Sequence, residues 1–205
     1  MKVAVVGGTG DFGANLAARL VEAGQDVVVG SRDRERAQAA AAEIGARGAT
    51  NAEAVSGADI VVLAVKAEAA LSTAAELVDT IAGTPVLSVA SELRFTKAGV
   101  FPGTDVRSLA ERTQELLNAP VAAGLHSLAA ATLAGGKADG DALVCGDDAE
   151  AKQLALELAA LVVTGRALDA GPLASAGALE GLTAVIVNLN KRYRAHVGVR
   201  VTGLA

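Results

Sequence analysis

The sequence predicts an α/β protein with a doubly wound, mostly parallel sheet and helices on both faces. Three observations predict it. Runs of consecutive apolar residues recur at 2–6 (KVAVV), 60–65 (IVVLAV) and 85–89. Such runs suit strands buried on both faces, as in parallel sheets. Between the runs, apolar residues recur at helical spacing, as Leu16, Leu20 and Val21 do, and strands alternating with helices build a parallel sheet by right-handed crossovers. The third observation is a long final helix over 173–195, where Leu179, Leu182, Val185, Ile186 and Leu189 form a broad apolar stripe.

Taken in order, a first strand over 2–6 runs into the glycine-rich segment GGTGDFG at 7–13. A helix over 15–23 follows, with Gly24 at its C-cap. Next come a second strand over 26–29 and a polar helix over 33–44. The third strand spans 60–65 and is followed by a helix over 67–81. Pro85 opens the fourth strand, where a missing donor is tolerated. Residues 90–104 show no clean period and read as a loop. A helix over 107–117 leads to strands at 121–125 and 142–145. Asp147 and Asp148 are expected to cap a helix running to about Leu161, and 165–169 is a short extended piece before the last helix.

Composition narrows the class of function. The 205 residues amount to about 1.4 domains at roughly 150 residues each, so one domain with an appendage is expected. Net charge is −5, from 18 basic and 23 acidic residues, which argues against a nucleic-acid partner. Only Phe12, Phe95, Phe101 and Tyr193 are aromatic, too few for a base-stacking surface. One cysteine and two histidines, His126 and His196, cannot fill a structural zinc site, and no metal is expected. No apolar run approaches the ~20 residues that cross a bilayer, and Met1-Lys2 enters a strand directly, with no leader pattern. A cytoplasmic protein with no membrane partner is the expectation.

Gly8-Thr9-Gly10-Asp11-Phe12-Gly13 fits G-x-G-x-x-G, placed after a strand and at the start of a helix. That context marks a Rossmann-type dinucleotide site. Gly8 would permit the tight turn, Gly10 the close approach of a pyrophosphate, and Gly13 the packing of helix on strand. A carboxylate at the end of the second strand would select NAD. Gly30-Ser31-Arg32 stands there instead, with Arg36 one helical turn on. Ser31 can donate to a 2′-phosphate and the Arg32 fork can clamp it, so NADP(H) is the expected nucleotide.

GGTGDFG and Val28 to Arg32 (VVGSR) resemble the opening of the NADPH-dependent F-420 reductases, also called F-420:NADP oxidoreductases. The resemblance continues in AGLHS at 123–127, VCGDD at 144–148, LDAGPL at 168–173, LEGLT at 179–183 and NLNKRYRAHVGVRVT at 188–202. It implies a single NADP-binding Rossmann domain over 1–205, usually dimeric, with a small C-terminal extension and a second-substrate cleft built from the C-terminal part. The implied reaction is hydride transfer between NADPH and the deazaflavin coenzyme F-420 as co-substrate. By the same resemblance, Thr9, Gly10, Asp11 and Phe12 would line the pyrophosphate, and Ser31, Arg32 and Arg36 would take the 2′-phosphate. Val65 would flank the nicotinamide, Ala90 would sit beside the ring, and His126 would lie near the deazaflavin as a donor to a ring heteroatom. Gly198 and Val199 would close over it.

Two positions depart from the family pattern. Lys66-Ala67 stands where the family commonly has Pro and an aromatic, and Ser91-Glu92 stands where bacterial members tend to carry Asn-Pro. They motivate an alternative, an NADP-dependent reductase of a small carbonyl or imine with Lys66 or His126 as proton donor. A non-catalytic NADP(H) sensor is a third reading, consistent with the lack of any obvious acid–base group.

Overall fold

A computed structural model of the chain describes residues 1–204. The first half runs β1 (Lys2–Val6), α1 (Asp11–Glu22), β2 (Asp26–Ser31), α2 (Arg34–Glu43), β3 (Arg47–Thr50), α3 (Asn51–Val55), β4 (Ile60–Leu63), α4 (Ala67–Glu76), α5 (Val78–Ile81) and β5 (Val86–Ser88). The second half runs β6 (Leu93–Thr96), β7 (Gly99–Pro102), α6 (Leu109–Leu116), β8 (Val121–Gly124), α7 (Ala130–Ala134), β9 (Ala142–Gly146), α8 (Ala149–Val162), β10 (Ala167–Asp169) and α9 (Ala176–Tyr193).

Eight strands form one sheet in the order β10-β9-β8-β5-β4-β1-β2-β3. Every neighbouring pair is parallel except β8 and β9. The expected mostly parallel, doubly wound sheet is therefore present. From β1 the chain winds outward to β3, then returns to the other side of β1 at β4. Ligands of such sheets bind where the strand order reverses, beyond the carboxyl ends of the strands.

The continuous apolar runs have the cause assigned to them. Val3 and Val5 face one core with Val27, Val29, Ile60 and Val62, under α1 and α8. Ala4 and Val6 face the other with Val28, Val61 and Leu63, against α3, α4 and α6. Both faces of these strands are buried along their middle, so polar residues are confined to their ends, Lys2 and Asp26 at the start and Ser31 at the finish.

Several boundaries differ from expectation. The segment 90–104 is a hairpin, not a loop: β6 and β7 pair antiparallel, Leu93 opposite Pro102. Its outer residues are exposed, so no apolar alternation announced it. The chain between α2 and β4 carries β3 and α3. β3 is a half-buried edge strand, RGAT, and Thr50 and Glu53 form a capping box on the five-residue α3. The strand 60–65 ends at Leu63 and the helix 67–81 breaks at Leu77.

Asp148 caps α8, accepting from Ala151 N–H at 2.8 Å. Asp147 does not share that role and accepts from Leu173 N–H at 2.9 Å. Cys145 is buried and its thiol is pushed up to about 11 by burial, as expected of a packing residue.

The last helix begins with a 3-10 turn at Leu173–Ser175 and stops at Arg194, whose φ is 53°. Over Leu173–Tyr193 it is long and apolar enough to cross a bilayer by length and composition, with mean hydropathy 1.2. The expectation that no run approaches that length is thus corrected. The stripe splits: Leu179 and Ile186 are buried, while Val185 and Leu189 are exposed. Glu180, buried on this helix, turns its carboxylate to α6 and accepts from Leu109 and Ala110 N–H, each at 3.2 Å. Burial pushes the Glu180 carboxyl above the usual carboxylate range.

Candidate active site

The carboxyl ends of β1, β2, β4, β5 and β8 meet around two adjoining cavities that share Gly10, Ala64, Val65 and Lys66. The first, of about 560 Å³, is lined by Gly7, Thr9, Ser31, Arg32, Arg36, Asn51 and Thr73 among others. The second, of about 370 Å³, is largely apolar, with Phe12, Ala90, Leu93, Leu125, His126 and Thr183 in its walls.

The glycine loop is built as its motif requires, with one reassignment. The left-handed residue of the turn is Gly7, φ 79°, and not Gly8. Gly8 is instead packed tight: a Cβ there would lie 2.9 Å from Val5 O. On Gly13 a Cβ would fall 2.6 Å from Gly7 O, so the helix rests on the loop backbone. Gly10 differs from both, since its Cβ would meet only Gly7 O, at 3.5 Å. Internal packing does not demand glycine at this position, and the cavity side does if a ligand comes close.

Gly10 is also the N-cap of α1, with no side-chain cap. The first helical bond is Ala14 N–H to Gly10 O, 2.8 Å. The N–H groups of Asp11, Phe12 and Gly13 therefore have no carbonyl within the helix, and they carry its partial positive charge.

At the end of β2, Ser31 is buried and Arg32 and Arg36 are exposed around the first cavity. Asp33 is occupied as the cap of α2, accepting from Arg36 N–H at 3.1 Å. Arg34 is tied to Glu53. Arg36 reaches Thr9 O at 3.4 Å, and Arg32 makes no ion pair among the described residues. The same cavity contains a buried acceptor with no protein partner among the described residues, Asn51 Oδ1.

The second cavity is closed by residues far apart in the chain. Val65 lies two residues past β4 and Ala90 two past β5. His126 follows β8, after Leu125, whose φ of 66° is unusual for a non-glycine residue and turns the chain sharply at the cleft. His126 Nδ1 lies 3.1 Å from Ser91 Oγ, and Ser91 Oγ lies 2.8 Å from Thr183 Oγ1. Thr183 Oγ1 donates to His126 O at 2.9 Å. Nε2 of His126 is buried without a protein partner among the described residues. Burial lowers the imidazole pKa to about 4, so the ring is neutral at pH 7.

Of the two departures, Lys66 is exposed at the junction of both cavities and makes no ion pair among the described residues. Ser91 and Glu92 part company: Ser91 enters the cleft, whereas Glu92 pairs with Arg112 on α6 at 2.5 Å. Thr183 was absent from the expected site residues although it lies in the LEGLT segment; its helical stripe pointed to core packing. Gly198 and Val199 do not line the cleft. Val199 O accepts from Asp141 N–H at 2.6 Å, and Gly198 is pressed against Asp139 O. His196 is exposed and is not among the residues that line the cleft.

A nucleotide-binding sheet that opens onto a second, ring-sized apolar cleft defines an NAD(P)-linked oxidoreductase. Residues 2–92 match the family model described as NADP oxidoreductase, coenzyme F420-dependent. The F420-dependent NADP reductase of Methanothermobacter marburgensis is 35% identical over 226 aligned positions, covering 100% of this chain and 99% of that protein. The enzyme of the same name from Methanocaldococcus jannaschii is 33% identical over 225 positions, with 100% and 99% covered. The chain belongs to the F420-dependent NADP reductase family. A solved structure from an Arthrobacter species, provisionally named an F420-dependent NADP-reductase, superposes with a TM-score of 0.83 at 25% identity, over 100% of both chains. A pyrroline-5-carboxylate reductase from Coxiella burnetii shares the fold, with a TM-score of 0.66 at 17% identity over 94% of this chain and 66% of that one.

Proposed function

We propose that this protein transfers hydride between NADPH and the deazaflavin coenzyme F-420. The observation that carries the reading is the pair of adjoining cavities with Gly10, Ala64, Val65 and Lys66 in common. One has the polar and cationic lining a phosphorylated nucleotide needs, and the other the largely apolar walls a fused ring needs.

The residues fit both groups. Two buried polar atoms have no protein partner among the described residues, Asn51 Oδ1 and His126 Nε2, one in each cavity, and the open Cβ position of Gly10 leaves room for close backbone approach. In this reading the N–H groups of Asp11, Phe12 and Gly13 take the pyrophosphate together with Thr9, and Gly8 keeps the loop tight. Ser31, Arg32 and Arg36 take the 2′-phosphate, while Val65 and Ala90 flank the two rings. When bound, the two cofactors supply the chemistry, a hydride passing between the nicotinamide C4 and the deazaflavin C5. The protein holds the rings together and keeps water out, and no residue need shuttle a proton. His126, neutral at pH 7, is not a proton donor of the kind a carbonyl reduction asks for.

The domain organisation follows from the same reading. The chain is one NADP-binding unit over 1–205, its second cleft completed by Leu125, His126 and Thr183 from the C-terminal part. We further propose a homodimer in the cytoplasm, free of nucleic-acid and membrane partners. Its support is the unpartnered apolar side of α9, Val185 and Leu189, beside exposed Phe95 and Phe101 of the hairpin.

Mixing the purified protein with NADPH and F-420 and following the deazaflavin absorbance tests the reaction, with NADH as control. Bleaching by NADPH alone is the expected result. No bleaching while NADPH binds would leave an NADP-binding oxidoreductase with a different second substrate.

A further inference from the structure

The hydrogen bonds around His126 can be assigned donor by donor, because only one assignment accounts for all three. A carbonyl oxygen only accepts, so the single Thr183 hydroxyl proton is directed to His126 O, 2.9 Å away. Thr183 Oγ1 must then accept in its 2.8 Å contact with Ser91, which uses the single Ser91 proton. Ser91 Oγ has only lone pairs left for His126 Nδ1 at 3.1 Å, so Nδ1 carries the hydrogen. The bonds close a ring that starts and ends on one residue: the imidazole, Ser91, Thr183 and the His126 carbonyl. With the ring neutral, Nε2 is a bare lone pair, buried and without a protein partner in the wall of the second cavity.

We propose that Ser91 is a positioning residue which, through Thr183, holds His126 as the Nδ1–H tautomer and so makes Nε2 an acceptor for a ring N–H of the co-substrate. This rests on the F-420 reading and sharpens it. The expected role of His126 as a donor is reversed: the cleft presents a lone pair, and the deazaflavin offers the imide N–H of its pyrimidinedione ring. A ring with only acceptors at that edge would face Nε2 lone pair to lone pair and leave it unsatisfied, which is costly in a buried site. The departure at Ser91 is therefore part of the polarity of the cleft, while its neighbour Glu92 is held by Arg112 on α6.

Two measurements on the full chain decide it. Nitrogen-15 NMR of imidazole-labelled protein has only two histidines to resolve, with His196→Gln assigning the spectrum. The expected spectrum has His126 Nδ1 protonated and Nε2 bare in the wild type. The Ser91→Ala variant should give a mixture of tautomers, and Ser91→Thr, which restores a hydroxyl, should return the wild-type pattern. Protonation of Nε2 in the wild type, or no change in Ser91→Ala, would overturn the assignment.

The second measurement is titration of the NADP-bound protein with F-420 and with its imide N-methylated analogue. Methylation should weaken wild-type binding at least tenfold and weaken Ser91→Ala binding by less. Equal affinity for the two compounds would overturn the recognition role. Failure of F-420 itself to bind the wild type would overturn the F-420 reading, and the NMR result would still stand for or against the tautomer.

Discussion

Gly7 and Val65 meet across the reversal point of the sheet: a Cβ on Gly7 would fall 2.7 Å from Val65 Cγ1 and 2.9 Å from Ala64 O. The loop after β1 and the loop after β4 touch there, and both cavities open from that contact. Gly7 also has φ 79°, a conformation in which a side chain is strained. Gly7→Ala combines the two costs, and unfolding by urea should show a loss of about 2–4 kcal/mol. A variant as stable as the wild type would mean the loops can move apart.

Arg32 and Arg34 lie two residues apart and should behave oppositely. Arg32 has no ion-pair partner among the described residues and lines the first cavity, whereas Arg34 is held by Glu53. Arg32→Ala should raise the NADPH dissociation constant about 10- to 100-fold, at about 1.4 kcal/mol per factor of ten. NADH affinity should not change. Arg34→Ala should leave both constants within about twofold by fluorescence titration.

His126 makes stability depend on pH. Its pKa is about 4 in the folded chain against 6.5 for the free side chain. The folded state therefore binds fewer protons in that window than the unfolded state. The contribution is complete above pH 6.5 and is lost as the pH falls toward 4. Between pH 7.5 and 5 the wild type should lose about 2 kcal/mol more than His126→Gln, measured by urea denaturation at each pH. Parallel curves would show that the imidazole is solvated.

The C-terminal segment is tied down by Asp141. Its carboxylate accepts from Arg166 N–H and from Val201 N–H, each at 2.8 Å, and these bonds hold its pKa below the usual carboxylate range. Asp141→Asn should expose residues beyond Asn190 to limited proteolysis at pH 7. In the wild type the anchor is present above the ordinary carboxylate pKa. Protection of the Val201 amide should therefore fall only as the pH drops through the depressed value.

The outer side of α9 tests the dimer. Leu189→Glu places a charge one helical turn from the exposed Val185 without replacing the buried Leu179 or Ile186. Sedimentation velocity should find the wild type dimeric and the variant monomeric. A monomeric wild type would remove the proposed interface.

Much of this fold is written in β1, β2 and β4, because burial on both faces leaves only apolar residues at those positions. The glycine loop was legible at Gly8 and Gly13, where backbone contacts under 3 Å tolerate nothing larger. The hairpin was not legible: Phe95 and Phe101 point outward, and its pairing is made by backbone that any sequence supplies. β3 escaped notice as a half-buried edge. In the candidate site, His126 stood out because histidine is rare in this chain. Ser91 and Thr183 did not, for 92 positions separate them and only the folded sheet end brings their hydroxyls to 2.8 Å.

The two cavities also differ in when the chain can supply them. The lining of the nucleotide cavity lies entirely between Gly7 and Thr73, whereas the ring cleft waits for Thr183. On the ribosome, the parts for gripping a dinucleotide emerge more than a hundred residues before those that complete the place where a second ring is received. A chain halted before α9 would have the segments of a nucleotide trap and lack one corner of the hydroxyl ring, so chemistry belongs only to the finished molecule.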